Sequence, residues 1–365
     1  MKGSKLIIFF CFFVLLLGGY FIFTYVQKKK TVVSTPSVIA TVMPVVADTK
    51  VPPPAEILPI KTTKSKPVAP PPPVGTDQFV VSLNTTSSDI ATSLTDKEYL
   101  SDASVFIALL GTKAIAPGAY KISKDWTPTQ LLQVLQGKPY MKWVVIPPGL
   151  RKEEIAALLA PALGWTTKQK NEWITKDTTT KPEYVEGVYA PDTYLIPVGE
   201  TPVNVTTRLI AKFNEGFAPY LPEFTAKNIK WTSALTLASI VQREAASVAD
   251  MPLIAGILWN RLDQNMMLDV DATLQYIRGN TGLGWWAPIT VADKKIDSPF
   301  NTYEHTGLPP HPISNPSLGA IEAVLNPTST DCLYYLHDGN RVTHCAATYA
   351  EHQANIVKYL KTVTP

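Results

Sequence analysis

The chain is short of the residues that metal, redox and nucleic-acid chemistry need. Its five histidines, His305, His311, His337, His344 and His352, match no zinc spacing, and no His-Glu-x-x-His pair occurs. Asp269 and Asp271 start like a calcium loop, but the glycine and the closing glutamate of such a loop are missing. There is no glycine-rich phosphate loop and no nucleophile elbow, so no cofactor and no metal is expected. Positive charge is scarce outside one place. Lys2, Lys5, Lys28, Lys29 and Lys30 flank an apolar run with no acid nearby, and beyond residue 30 there are 28 basic residues against 30 acidic. That balance excludes a nucleic-acid partner. Charged residues make up 17% of the chain and hydrophobic ones 45%, which excludes a wholly disordered protein, and 365 residues can build two modest cores.

The longest hydrophobic run, Leu6 to Val26, carries no charge and would span about 31 Å as a helix, the thickness of a bilayer's hydrocarbon core. A cleaved signal peptide is the rival. Its apolar region would be shorter, and Thr24-Tyr25-Val26-Gln27 is no small-residue cleavage site. Residues 1–30 are therefore expected to form a short cytoplasmic tail and one transmembrane helix, with the lipid bilayer as partner through residues 6–26. Lysines at both ends leave the orientation nearly tied. Residues 31–75 hold 11 of the 32 prolines and are expected to be a disordered linker. As a coil it would reach about 35 to 40 Å from the membrane.

Of three cysteines, Cys11 lies in the apolar run, leaving Cys332 and Cys345. Between them a strand, Asp338-Gly339 and a second strand spell a hairpin. With Asp338 and Gly339 as a two-residue loop, Cys332 would face Cys345. Two outcomes fit: a disulfide, which implies an extracytoplasmic side, or two reduced, half-buried thiols.

The folded part is expected to be α+β. Three stretches share an apolar strand, a polar turn and a short amphipathic helix: Phe79-Val80-Val81 before Ile90 and Leu94, Tyr120-Lys121-Ile122 before Leu131 and Leu135, and Trp143-Val144-Val145 before Ile155 and Leu159. Further on, a helix capped by Thr232 or Ser233 carries Leu237, Ile240, Val241 and Glu244 on one stripe. Thr236, Ser239 and Arg243 would form its wet side. A carboxylate ending a buried stripe loses hydration and can hold a proton near neutral pH, as a general acid must. The plainer reading of Glu244 is a buried ion pair with Arg261 on the next helix. That helix begins with Asp250 as cap and Pro252 in its first turn, and has Ile254, Ile257, Leu258 and Leu262 as its stripe. After it, Asp269, Asp271, Trp285, Trp286, Asn301, Tyr303 and Gly307 to Pro310 lie in a long aperiodic run, the kind that builds binding sites.

Seven ordered blocks carry a resemblance: Ala116-Pro-Gly-Ala-Tyr120, Ile146-Pro-Pro-Gly149, Glu186-Gly-Val-Tyr-Ala-Pro-Asp-Thr-Tyr194, Leu237-Ala-Ser-Ile-Val-Gln-Arg-Glu244, Trp259-Asn-Arg-Leu262, Asp271-Ala-Thr-Leu-Gln-Tyr276, and Asn301-Thr-Tyr303 with Gly307-Leu-Pro-Pro310. Together they make the chain similar to the YceG-like endolytic murein transglycosylases over roughly residues 76 to 360. The resemblance implies a LysM-like α+β module over 76–180 and a mixed α+β catalytic domain over 181–365. It also implies a single-pass cell-membrane protein with an extracytoplasmic catalytic domain that cuts nascent peptidoglycan strands beside the peptidoglycan synthases, ending their elongation. The catalytic glutamate it points to is Glu244; substrate contacts would come from Asp192, Tyr194, Asp271, Thr273, Asn301 and Tyr303. Three positions depart from the family pattern: Gln242 stands where a second glutamate is usual, Asp269 for glutamine and His311 for glycine.

The implied reaction is cleavage of the bond between N-acetylmuramic acid and N-acetylglucosamine, leaving a 1,6-anhydro end, with no second carboxylate and no water required. Two alternatives remain from the residues. One is a non-catalytic, membrane-tethered peptidoglycan-binding protein, motivated by the three departures. The other is a glycoside hydrolase using Asp271 or Asp192 as second carboxylate.

Overall fold

Threonine caps punctuate the first half of the chain. In the computed structural model, which describes residues 75–360, strand β1 (Asp77–Val81) leads to helices α1 (Ser87–Asp96) and α2 (Ala103–Leu110), strand β2 (Gly118–Ile122) and helix α3 (Pro128–Leu135). Strand β3 (Met141–Ile146) and helices α4 (Lys152–Leu163) and α5 (Thr167–Glu172) follow. α1, α3 and α5 each open with a capping box: Thr86 with Asp89, Thr127 with Gln130, and Thr166 with Gln169. All three strand-and-helix units expected from the sequence are present. α2 is an addition, because its Ala-Ser-Val-Phe-Ile-Ala-Leu-Leu run is apolar all round and offers no period to read.

Strand β4 (Asp192–Pro197) completes an antiparallel sheet of order β1-β2-β3-β4. β1 pairs with β2, and β3 with β4, along their whole lengths, whereas β2 and β3 meet only at Ala119 and Met141. The Trp143 indole bridges the seam by donating to the Val81 carbonyl at 2.9 Å. α1, α2 and α3 cover β1 and β2, burying Phe79, Ile90, Leu94, Phe106, Ile122 and Leu131 in one core. β4 lies beyond residue 180, so the sheet draws on both halves of the chain.

The second half is mostly helical: α6 (Pro202–Phe217), α7 (Leu221–Ala226), α8 (Trp231–Glu244), α9 (Met251–Asp263), α10 (Asp271–Arg278) and α11 (Leu318–Leu325). A hairpin of β5 (Tyr334–His337) and β6 (Thr343–Ala346) and the helix α12 (Tyr349–Asn355) follow, and a π-helical turn over Ile356–Leu360 ends the described residues. The fold is thus mixed α+β. α8 is its centre, packed by α9, α10 and α11.

Three expectations need correction here. α8 starts at Trp231, with Lys230 in the cap position and no side-chain cap bond, rather than after Thr232 or Ser233. Its supposed wet face is buried: Thr236 is 3% exposed and Ser239 not at all. Both hydroxyls bond to carbonyls of their own helix, and Ser239 Oγ also accepts from the Ile313 amide, so a loop can cover them without leaving a polar group unpaired. The hairpin forms, but Tyr335 rather than Cys332 faces Cys345. Asp338 Oδ1 accepts from the Asn340 and Val342 amides, organising a five-residue loop, Asp338–Val342, in place of the two-residue turn. The disulfide Cys332–Cys345 is nevertheless closed, across a Cα separation of 5.8 Å. At α9, Asp250 occupies the cap position, but its carboxylate receives the Ser247 hydroxyl and no helix amide.

The expected transmembrane helix and residues 31–74 of the expected linker lie outside the described residues. Among those described, no helix is long and apolar enough to cross a membrane.

Candidate active site

α8 ends at Glu244, which the buried stripe of Leu237, Ile240 and Val241 carries to the edge of the core. The residue is half-buried. Its Oε2 accepts a hydrogen bond from the Tyr335 hydroxyl of β5 at 2.7 Å. Loss of hydration pushes the Glu244 carboxyl above its ordinary value. The Tyr335 bond, the nearby Arg243 guanidinium and the Ala272 amide in the first turn of α10 oppose that rise, while the Asp271 carboxylate adds to it. Burial wins, and Glu244 is placed to hold a proton that ordinary carboxyls have lost.

The ion pair with Arg261 does not form. Arg261, buried on α9, bonds instead to Asp269 at 3.1 Å and to the carbonyls of Leu333, Met267 and Leu268. Its work is to hold the chain entering α10 and the chain entering β5. Arg243 stacks over the Trp286 ring at 3.8 Å, and the Trp286 indole donates to Glu154 Oε2 at the start of α4. Arg151 is held between the Tyr276 and Trp285 rings. The tryptophan loop thus fastens the Glu244 region to the β3–α4 corner.

Asp271 begins α10, and its Oδ1 receives the Tyr303 hydroxyl at 2.5 Å. Glu244, Asp271 and Tyr303 are therefore brought together. Thr273 and Asn301 sit behind them, fully buried. The Thr273 hydroxyl bonds to the Val270 carbonyl and to Thr302. Asn301 donates to the Lys294 and Ile296 carbonyls and accepts from the Tyr303 amide, so it sets the loop that presents Tyr303. Asp192 and Tyr194 lie on β4. Asp192 is exposed and paired with Lys212 at 3.5 Å, and the Tyr194 hydroxyl is spent on the Ala190 carbonyl. No bond joins either of them to Glu244.

The departures from the family pattern are also placed. Gln242 Oε1 accepts from the Ser317 amide and hydroxyl, seating the start of α11. His311 packs edge-on against Tyr276 and Phe300, and burial lowers its pKa. It lines a cavity of about 270 Å³ with Trp231, Thr232, Leu235 and Thr236 at the opposite end of α8 from Glu244. Among the described residues no three His, Cys, Asp or Glu side chains are placed to hold a metal ion.

Two residues of this region escaped the sequence reading. Tyr335 comes from a hairpin 91 residues beyond Glu244, and no local spacing connects them. Glu186, fully buried, accepts from the Lys152 amide through both oxygens and from Asn315 Nδ2 at 2.6 Å. Its signal was its place inside the block Glu186 to Tyr194.

The sequence profile of the YceG-like family matches residues 79–358. An endolytic murein transglycosylase of Streptococcus pneumoniae is 35% identical over 181 residues, 48% of this chain and 32% of that protein. The chain thus aligns with about a third of that relative's length. An endolytic murein transglycosylase of Bacillus subtilis is 28% identical over 277 residues, 70% of this chain and 76% of that protein. A solved YceG-like protein of Listeria monocytogenes superposes with a TM-score of 0.55 at 27% identity, covering 77% of this chain and 98% of that one. A profile match over most of the length, laid on a structure that gathers Glu244, Asp271 and Tyr303, places this chain in the YceG-like family.

Proposed function

We propose that this protein is an endolytic peptidoglycan lytic transglycosylase with Glu244 as its single acid and base. The observation that carries this reading is the Glu244 carboxyl itself: raised by burial, held by Tyr335, and unpaired with any arginine. Protonated Glu244 gives its proton to the oxygen between N-acetylmuramic acid and N-acetylglucosamine, and the bond from that oxygen to muramic C1 breaks. Positive charge develops on the muramic ring. The C6 hydroxyl of the same ring attacks C1 and its proton returns to Glu244, leaving a 1,6-anhydro end and a restored acid. Because the attack is intramolecular, its effective concentration is high and no second carboxylate is required. Asp271, with Tyr303 bonded to it, supplies negative charge near the developing cation.

We propose further that the rest of the chain serves this reaction. Residues 6–26 anchor the chain in the cell membrane, residues 31–75 tether it, residues 76–180 form a LysM-like module, and the catalytic part works outside the cytoplasm beside the peptidoglycan synthases. The closed Cys332–Cys345 disulfide supports an oxidising, extracytoplasmic setting.

Digestion of purified peptidoglycan by the full chain, with products identified by mass spectrometry, tests the reading. Anhydro ends are expected, and Glu244→Gln should lower cleavage by roughly 10²-fold to 10⁴-fold with an unchanged melting temperature. Reducing ends would mean a hydrolase with Asp271 as second carboxylate. Binding without product, unaffected by Glu244→Gln, would mean a glycan-binding protein.

A further inference from the structure

The β5–β6 hairpin is held at its entry, at its loop and by its disulfide, and what it presents to Glu244 is one phenol. Asn260 Nδ2 donates to the Cys332 carbonyl, and Arg261 Nε to the Leu333 carbonyl, fixing the chain as it enters β5. Arg341, from the hairpin loop, donates to the Ala246 carbonyl two residues past Glu244. Cys345 stands directly across from Tyr335, and its disulfide partner Cys332 lies three residues before Tyr335, so the covalent bond closes around that position. Each strand is only four residues long, and so short a hairpin has little stability of its own. The Tyr335 hydroxyl then reaches Glu244 Oε2 at 2.7 Å.

We propose that Tyr335 is a positioning residue for the proton transfer, holding the Glu244 carboxyl by Oε2 so that the exchangeable proton sits on Oε1. The Cys332–Cys345 disulfide sets the reach of that phenol. This rests on the transglycosylase reading of Glu244. A carboxylic acid has one acceptor oxygen and one hydroxyl oxygen, and a donor fixed on the first assigns the proton to the second. The phenol remains a donor at every working pH, since burial and the neighbouring Glu244 keep its own proton on. The groups facing Glu244 are Arg243 on its own helix, Asp271 and the Ala272 amide of α10, Tyr303 from the following loop, and Tyr335, with Arg261 behind the phenol. Of these the Tyr335 bond is the strongest opponent of burial.

The test measures kcat and KM against pH for the full chain on purified peptidoglycan. Tyr335→Phe should lower kcat by roughly 10-fold to 100-fold, the effect of one bond to a group that becomes charged, with KM little changed. It should also move the alkaline limb of activity to higher pH, because a bond that favoured the ionised carboxyl is gone. A loss from mere loosening would lower activity at all pH values without moving the limb. Reduction of the wild-type disulfide by a phosphine, in which each sulfur gains one hydrogen and the phosphine takes oxygen from water, should move the limb the same way. On Tyr335→Phe the same reduction should change kcat less than about 2-fold, since both act through one bond. An unshifted limb in Tyr335→Phe overturns the proposal. So does an unshifted limb in the reduced wild type, which decides the matter if the variant does not fold, and multiplicative effects overturn the link to the disulfide. Failure of the underlying reading looks different: wild type then yields no anhydro ends at any pH, or Glu244→Gln matches it.

Discussion

At Glu244, two neighbours of opposite effect can be separated by substitution. Asp271 raises the Glu244 carboxyl by like charge, through a side chain that also receives the Tyr303 hydroxyl. Asp271→Asn keeps an oxygen for Tyr303 and removes the charge. With the repulsion gone, Glu244 ionises at lower pH, so the alkaline limb of kcat/KM should move down, which a pH profile on soluble glycan strands would read. The direction is opposite to that expected for Tyr335→Phe, and a common direction would mean that neither side chain acts through Glu244. The periodicity of Leu237, Ile240, Val241 and Glu244 made the carboxylate legible, since helix faces are set by local spacing. Tyr335 was not legible. Only packing of a distant hairpin decides which phenol meets that carboxylate.

Among the elements, α8 and α9 show how close approach replaces pattern. A side chain added at Gly256 on α9 would run into the Thr328 carbonyl, whose residue also bonds through its amide to the Pro252 carbonyl. That approach seats the loop leading from α11 to Cys332. Gly256→Ala should therefore destabilise the protein by about 1 to 3 kcal/mol, seen as a lowered melting temperature, because backbone rather than a flexible side chain must give way. The strands β1, β2 and β3 and the helices after them were visible as apolar stretches followed, beyond a polar turn, by helical stripes such as Ile90 with Leu94, Leu131 with Leu135, and Ile155 with Leu159. The inner helix α8 was read as amphipathic because Thr236 and Ser239 are polar. Their hydroxyls are satisfied within the core, and composition cannot distinguish that from exposure to water.

For the molecule as a whole, one buried carboxyl ties three segments together. Glu186 accepts from the amide that opens α4 and from Asn315, whose own Oδ1 receives the Tyr189 amide and whose Nδ2 also reaches the Leu150 carbonyl. Burial, with Glu153 beside it, pushes Glu186 up to about 8, against the pull of the Lys152 amide, Lys152 and Arg151. An unfolded glutamate titrates near about 4.3. Between these values the native protein keeps a proton that the unfolded chain releases, so this contribution to stability is full in acid and declines as pH rises toward 8. Glu186→Gln should flatten that slope: the difference in melting temperature between about pH 5 and about pH 8 should shrink. Opening the Cys332–Cys345 disulfide should cost about 3 kcal/mol through the freed loop of the unfolded chain, measured by denaturant unfolding with and without reductant.

The sequence by itself determined the α+β character, the order of the three strand-and-helix units, the family, and the one carboxylate that ends a buried helical stripe. The family came from the resemblance carried by seven blocks spread along the chain; each of the others is written in neighbouring residues, where backbone geometry turns spacing into a face. The tertiary structure alone decided the rest: that Arg261 serves carbonyls and Asp269 rather than Glu244, that the hairpin loop spans five residues, and that Tyr335 meets Glu244 while Asp192 and Tyr194 stay on the sheet. Such choices depend on which distant segments can share burial and hydrogen bonds without leaving a polar group unpaired, and no local pattern encodes that competition.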